Sequence, residues 1–171
     1  MAKKISLREF QESLVKRLTS AKAGEASRAM LGVQAGREYW LLDLSESGEI
    51  VPLTQLYTVP LTKPWFCGLA NIRGTLYSVV DFSAFQGGEP TPQNADSRLL
   101  LVGSKLGINS ALLVSRTLGL RSVEQLEAGA EEADARPWVG DQYADAQKRQ
   151  WKRLNLRNLL SQPDFLDIGQ S

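Results

Sequence analysis

The chain has 171 residues, 43% of them hydrophobic and 23% charged, and its 20 basic and 19 acidic side chains leave a formal charge of +1. That is enough chain for one sizeable core, or for two small lobes sharing one, and the neutral balance excludes a global field that would draw in nucleic acid or anionic lipid. Histidine is absent and Cys67 is the single cysteine, which excludes Cys/His zinc sites, Ser-His-Asp triads, Cys-His pairs and an internal disulfide.

The amino terminus, "MAKKISLREF", carries charges where a signal peptide needs an apolar core, and no apolar run approaches membrane-spanning length. A cytoplasmic protein without direct membrane insertion is the expectation. Ser6 with Glu9 forms a capping box, Ile5 and Phe10 a hydrophobic staple, and Leu7, Phe10, Leu14 and Leu18 recur along one face. These signals predict an amphipathic helix, followed by a small-residue linker "SAKAGEAS", so that residues 1–28 stand apart from a domain over 29–169. The helix either docks on the core or binds a partner.

From Ala29 the pattern turns to strands. "MLGVQAGREYWLLDL" gives two short runs about Gly36 and "EIVPL" a third; "GLANIRGTLYSVVDF" gives two more about Arg73-Gly74, and "RLLLVGSKLGINSALLVS" a further hairpin. Short strands with Gly-bearing turns at close spacing predict a mainly β body of small barrels or a sandwich. "FQGGEPTPQNADS" and the acidic "LEAGAEEADARP" read as surface loops, and "QWKRLNLRNLL" as a strand running into a short helix stopped by Pro163.

Chemistry is sparse. Asp43, Asp81 and Asp96 sit near predicted strand ends, where turn and cap roles suffice for each. Cys67, between Phe66 and Gly68, reads as a small packing residue, and no metal or cofactor motif is present. Lys148, Arg149, Lys152, Arg153 and Arg157 surround Trp151, a pattern that can track phosphates and stack a base. A solvated face is the preferred reading, because the chain as a whole is neutral. A nucleic-acid-binding small barrel and a carboxylate-dependent enzyme stay open as alternatives at this point.

The stretch from Gly68 to Phe82 has apolar side chains on both faces: Leu76, Ser78 and Val80 alternate with Thr75, Tyr77, Val79 and Asp81. One face can line a barrel. The other needs a cover, whether a second lobe, the amino-terminal helix or another protein.

At these residues the sequence resembles the CheW-like chemotaxis coupling proteins. The signature reads Val59-Pro60, Trp65, Gly68, Asn71-Ile72-Arg73-Gly74 and Val79-Val80-Asp81-Phe82, with "GREYWLLDL", "GEIVPL" and "ALLVSRTLGL" similar to flanking family strands. The amino-terminal helix, the "GLANIRG" form and the ending "FLDIG" look most similar to the members that serve type IV pili and twitching motility. The resemblance implies two intertwined SH3-like five-stranded barrels, with an amino-terminal helix and a short carboxy-terminal one. It implies no catalysis and no cofactor. The implied partners are the cytoplasmic tip of a methyl-accepting chemoreceptor and the regulatory domain of a CheA-type histidine kinase, in arrays at the membrane. A flagellar chemotaxis system is the alternative output. Arg73, Asn71, Glu49, Ile50, Tyr77 and Val79 are the implied partner-binding residues, and Gly68 and Gly74 the structural turn residues. Ser78 and Ser115 depart from the family pattern, where Pro and Asp are usual.

Overall fold

The computed structural model describes residues 29–43, 45, 47–102, 107–129 and 134–169. The expected amino-terminal helix and most of the "GSKLG" turn therefore lie outside the described residues. The sheets form where alternation and β-branched or aromatic residues lead: β1 (Ala29–Ala35), β2 (Glu38–Asp43), β3 (Ser47–Pro52), β4 (Phe66–Ile72) and β5 (Thr75–Asp81), then β6 (Arg98–Val102), β7 (Ser110–Val114), β8 (Arg116–Ser122), β9 (Glu127–Ala128), β10 (Val139–Ala144) and β11 (Gln150–Leu154). Three short helices, α1 (Phe82–Phe85), α2 (Leu156–Leu160) and α3 (Pro163–Leu166), complete the described chain with one 3-10 turn. Pro163, expected only to stop a helix, opens α3 at its first turn, where its missing N–H is no loss.

The first sheet runs β8-β1-β2-β11-β10-β9 and the second β3-β6-β7-β5-β4. The chain thus starts one sheet, builds the whole of the other, and returns to finish the first. This is the interleaving the family resemblance implies, with β9 as a sixth, two-residue strand on the first sheet. One large core lies between the sheets: Leu31, Val33, Trp40 and Leu42 from the first meet Val80, Leu100, Leu112 and Val114 from the second. Its end is closed by aromatic contacts of Phe85 with Trp65, Trp138 and Phe165, ring centroids 5.0–5.4 Å apart. Each sheet also packs its other face, around Val79, Leu99 and Leu113 in the second and around Met30, Leu41 and Trp151 in the first. Apolar residues on both faces of a strand are what such a sheet requires.

The three singled-out aspartates are structural and separate. Asp81 caps α1 through Ala84 N–H at 3.2 Å and holds the loop at Thr91, accepting from its N–H at 2.7 Å and its hydroxyl at 2.6 Å. Asp43 accepts from Ser45 and from Arg153, and Asp96 lies exposed in the turn before β6. Trp151 is fully buried, donating to Asp145 at 3.0 Å, so it offers no stacking platform. Lys152 and Arg153 beside it pair with Glu38 and Asp43. Arg149 lies over the Tyr39 ring at 4.5 Å while Lys148 and Arg157 are exposed, so the cluster keeps cations at the surface but loses the aromatic platform that the nucleic-acid reading needed.

Candidate functional site

The β4–β5 hairpin pairs Ile72 with Thr75, leaving Arg73 and Gly74 as a two-residue turn. Both have positive φ, 51° and 87°, the primed-turn geometry that matches right-twisted strands. A Cβ on Gly74 would meet nothing within 4 Å, so its constraint is torsional alone. Asn71 shapes the turn as expected, its Oδ1 accepting from Gly74 N–H at 2.9 Å. Gly68, expected in a turn, instead sits within β4 at a register shift, with φ 128°. A Cβ there would stand 2.4 Å from the Tyr57 carbonyl oxygen. The close approach arises because Tyr57 and Leu69 exchange both backbone hydrogen bonds, at 2.8 and 2.9 Å.

The hairpin tip does not leave Arg73 alone. Its guanidinium grips the Glu49 carboxylate with two hydrogen bonds, one of 2.9 Å from Nη1 to Oε2 and a second from Nη2 to Oε1. This hydrogen bonding lowers the Glu49 pKa and raises that of Arg73. Glu49 belongs to β3, at the opposite edge of the second sheet from β4. In a flat sheet β3 and β5 would lie about 14 Å apart, so the pair ties the hairpin tip to the far edge of the sheet. Two residues singled out separately in the sequence thus form one exposed unit, with side-chain exposures of 66% and 49%.

The face carrying Tyr77 and Val79 needs correction. Val79 is fully buried and Tyr77 half-buried, both in the cluster that Val51, Leu53, Leu56, Cys67 and Ile72 also cover. The chain between β3 and β4 folds back over that face, so its cover is internal and Val79 cannot touch a partner. The same burial pushes the Cys67 thiol up to about 12, reinforced by the nearby Asp81 charge. Ile50 is half-buried against the shared core.

An accessible apolar strip lies on the opposite face. Tyr57 opposes Leu69, Leu69 opposes Ser78, and Asn71 opposes Leu76, which puts Tyr57, Leu69 and Leu76 on the face whose inner end, Val80, enters the shared core. Leu76 is 54% and Tyr57 52% exposed. Leu76 was legible from alternation with Val80; Tyr57 had no signal, since its place depends on the bridge to Leu69.

A second cluster was missed altogether. Arg136 satisfies all five of its N–H groups: Nε and Nη2 to Asp134 at 2.9 and 2.7 Å, Nη1 and Nη2 to Glu38 at 2.8 Å each, and Nη1 to Gln86 Oε1 at 2.7 Å. Gln86 also accepts from Trp138 Nε1 at 2.8 Å, and Lys152 Nζ lies 3.3 Å from Glu38. The cluster ties β2, the end of α1 and the approach to β10 beside an open cavity of about 600 Å³. Hydrogen bonding from Arg136 lowers Glu38 and holds Asp134 down at about 2. Both carboxylates are therefore ionised at neutral pH and committed to Arg136, which suits a clamp and not a general acid.

Two interleaved sheets on a shared core, with an exposed apolar strip beside an ion pair, define a protein-interaction module. The chain belongs to the CheW-like family, its residues 29–163 matching the CheW-like domain. It is a coupling, scaffold-type protein of that family. It is 26% identical over 145 residues to Protein PilI of Pseudomonas aeruginosa, covering 81% of this chain and 79% of that protein. Its fold matches the scaffolding protein TtCheW of Thermoanaerobacter tengcongensis with a TM-score of 0.66 at 18% identity, covering 83% of this chain and 97% of the other. Among the described residues no helix is long and apolar enough to cross a membrane.

Proposed function

We propose that the protein is a non-catalytic adaptor that couples a chemoreceptor's cytoplasmic tip to the regulatory domain of a CheA-type histidine kinase, within a chemosensory array controlling type IV pili and twitching motility. Family membership supports the adaptor role, and the similarity to PilI supports the pilus output. The observation that carries the reading is the strip of Tyr57, Leu69 and Leu76 beside the Arg73–Glu49 pair. A helix laid in an apolar groove contributes side chains at i, i+3 and i+4 that such a strip can receive, with the ion pair fixing orientation at its rim, so a receptor tip that presents a helix would fit it. The kinase domain would take a separate face.

The test is co-sedimentation of the protein with receptor-bearing membranes and kinase. Wild type should bring kinase down with receptor, while Leu76→Asp, on an exposed position, should abolish receptor recruitment and leave the fold intact. Full recruitment by folded Leu76→Asp would overturn the assignment of the strip. Recruitment to flagellar-system receptors in preference to pilus-system ones would overturn the output.

A further inference from the structure

We propose that the end of the first sheet where β1 turns into β2 is a docking surface for an acidic helix of a partner protein, with Arg116 and Arg149 each receiving a carboxylate. This surface is on the first sheet, whereas the strip of Tyr57, Leu69 and Leu76 lies along the second, so the proposal stands apart from the reading of that strip.

Three arginines elsewhere in the fold are committed to carboxylates: Arg73 to Glu49, Arg136 to Glu38 and Asp134, and Arg153 to Asp43. Arg116 and Arg149 are held by neutral groups instead. Arg116 donates from Nε to Gln34 Oε1 at 2.8 Å, and the same amide is fixed by its Nε2, which donates to the Gly36 carbonyl at 3.2 Å. Arg149 lies over the Tyr39 ring at 4.5 Å, and that ring packs on Trp151 at 5.5 Å. Gln34 and Tyr39 face each other across β1 and β2, so the two guanidiniums are anchored on neighbouring strands whose axes run about 4.8 Å apart. Both arginines are exposed, and no described carboxylate forms an ion pair with either. Asp145 feels the Arg149 charge, but its oxygens are engaged by the β10–β11 turn: Oδ1 accepts from the N–H groups of Gln147 and Arg149 at 2.9 Å each, and Oδ2 from Trp151 Nε1 at 3.0 Å. Glu38, also at this end, is held by Arg136 and Lys152. Because β11 runs parallel to β2, exposed Arg37 in the β1–β2 turn and exposed Lys148 in the β10–β11 turn add positive charge at the same rim.

The geometry selects the occupant. A guanidinium fork matches a carboxylate with two parallel hydrogen bonds, and carboxylate-bearing residues four apart on a helix have Cβ atoms about 5–6 Å from one another, close to the strand spacing that sets the two arginines. Nucleic acid would find no stacking surface, since Arg149 covers Tyr39 and Trp151 is buried. A lipid surface would find nothing to insert: among the described residues the one exposed large hydrophobic of this sheet is Leu120, opposite Leu31 and away from the Arg116 end of β8. Exposed ion pairs are individually weak and salt-sensitive, so such a contact orients a partner and is readily released.

The test titrates the full-length protein with a synthetic alanine-based helical peptide carrying Glu at every fourth position, followed by amide NMR. Signals of Gln34, Tyr39, Arg116 and Arg149 should shift saturably, and Arg116→Gln/Arg149→Gln should weaken binding about five- to tenfold. Arg157→Gln, which removes an exposed cation on α2 beyond the other end of β11, and Leu76→Asp on the strip should each leave the affinity within about twofold of wild type. Arg116→Lys/Arg149→Lys keeps the charge without the forks and should restore less than half of what the glutamine pair loses. Absence of these shifts up to millimolar peptide, an equal loss in Arg157→Gln or Leu76→Asp, or full affinity in the lysine pair would overturn the proposal. Tighter binding of an oligothymidylate or of phosphatidylglycerol vesicles at the same four residues would overturn the choice of a protein partner.

Discussion

Replacing Arg136 by Met tests the clamp between β2, α1 and the approach to β10. The variant keeps side-chain length, removes five hydrogen bonds, and leaves Asp134 without its cation and Glu38 with Lys152 alone. Asp134 drops from an ordinary 3.8 to about 2 in the folded protein. At 1.36 kcal/mol per unit this is at most about 2.4 kcal/mol, and solvent screening at a rim position reduces it to about 1–2 kcal/mol. Glu38 adds in the same direction, and the total stays below the 3–5 kcal/mol of fully buried pairs. For a chain of this length the melting temperature should fall by roughly 4–12 °C. The pH dependence follows from the sign of the shifts. Both carboxylates titrate lower when folded, so their stabilisation is fully present above about pH 5 and is lost as pH falls through the folded values. The gap in Tm between wild type and variant should be constant from pH 8 to 5. The Asp134 contribution should shrink to about half by pH 3. Differential scanning calorimetry across that range measures it. A gap under about 1 °C at pH 7, or one undiminished at pH 3, would refute the clamp.

Three further outcomes are expected. Gly68→Ala should cost several kcal/mol or prevent folding because the new Cβ meets the Tyr57 carbonyl oxygen at 2.4 Å, whereas Gly74→Ala, with open space around it, should cost only about 1 kcal/mol; urea melts separate the two. Val79→Asp should unfold the domain by burying a carboxylate, while Leu76→Asp should melt within about 2 °C of wild type; equal damage from both would show that the exposed face is misassigned. Arg73→Ala and Glu49→Ala should leave thermal stability almost unchanged, since both side chains are exposed, yet weaken receptor co-sedimentation; recovery in the swapped Arg73→Glu/Glu49→Arg pair would mean that the bridge matters, and no recovery that Arg73 itself meets the partner.

Local signals carried far in this chain. Alternation about Arg73-Gly74 and the spacing of short apolar runs were enough to predict the hairpin, and the same alternation separated the Leu76 face from the Val79 face. Which face is exposed was not local information: it depends on residues 53–57 folding over Val79, and nothing in their own sequence says so. Gly68 looked like a turn residue because glycine serves turns and close approaches alike, and only the Tyr57 backbone decides between them. The Arg136 clamp was invisible for a simpler reason. Glu38, Gln86 and Asp134 are ordinary polar residues until the fold brings together positions 98 apart. Trp151 shows the converse error, in that an aromatic between cations reads like a nucleic-acid platform until its ring is seen in the core.

The return of the chain to its first sheet bears on synthesis. Residues 47–114 contain every strand of the second sheet, so that sheet can pair as soon as it leaves the ribosome. β2 must wait: its parallel partner β11 matches Trp151 with Tyr39 and Arg153 with Leu41, more than a hundred residues later. At about 5–20 residues per second the β1–β2 hairpin spends roughly 5–20 s with one flank of its ladder open. During that interval its apolar strands, with Leu41 and Trp40 at their centre, are the part of the nascent chain most exposed to wrong pairing. Any truncation before Gln150 makes the exposure permanent, so shortened products should be cleared as misfolded chains and not persist as half-domains.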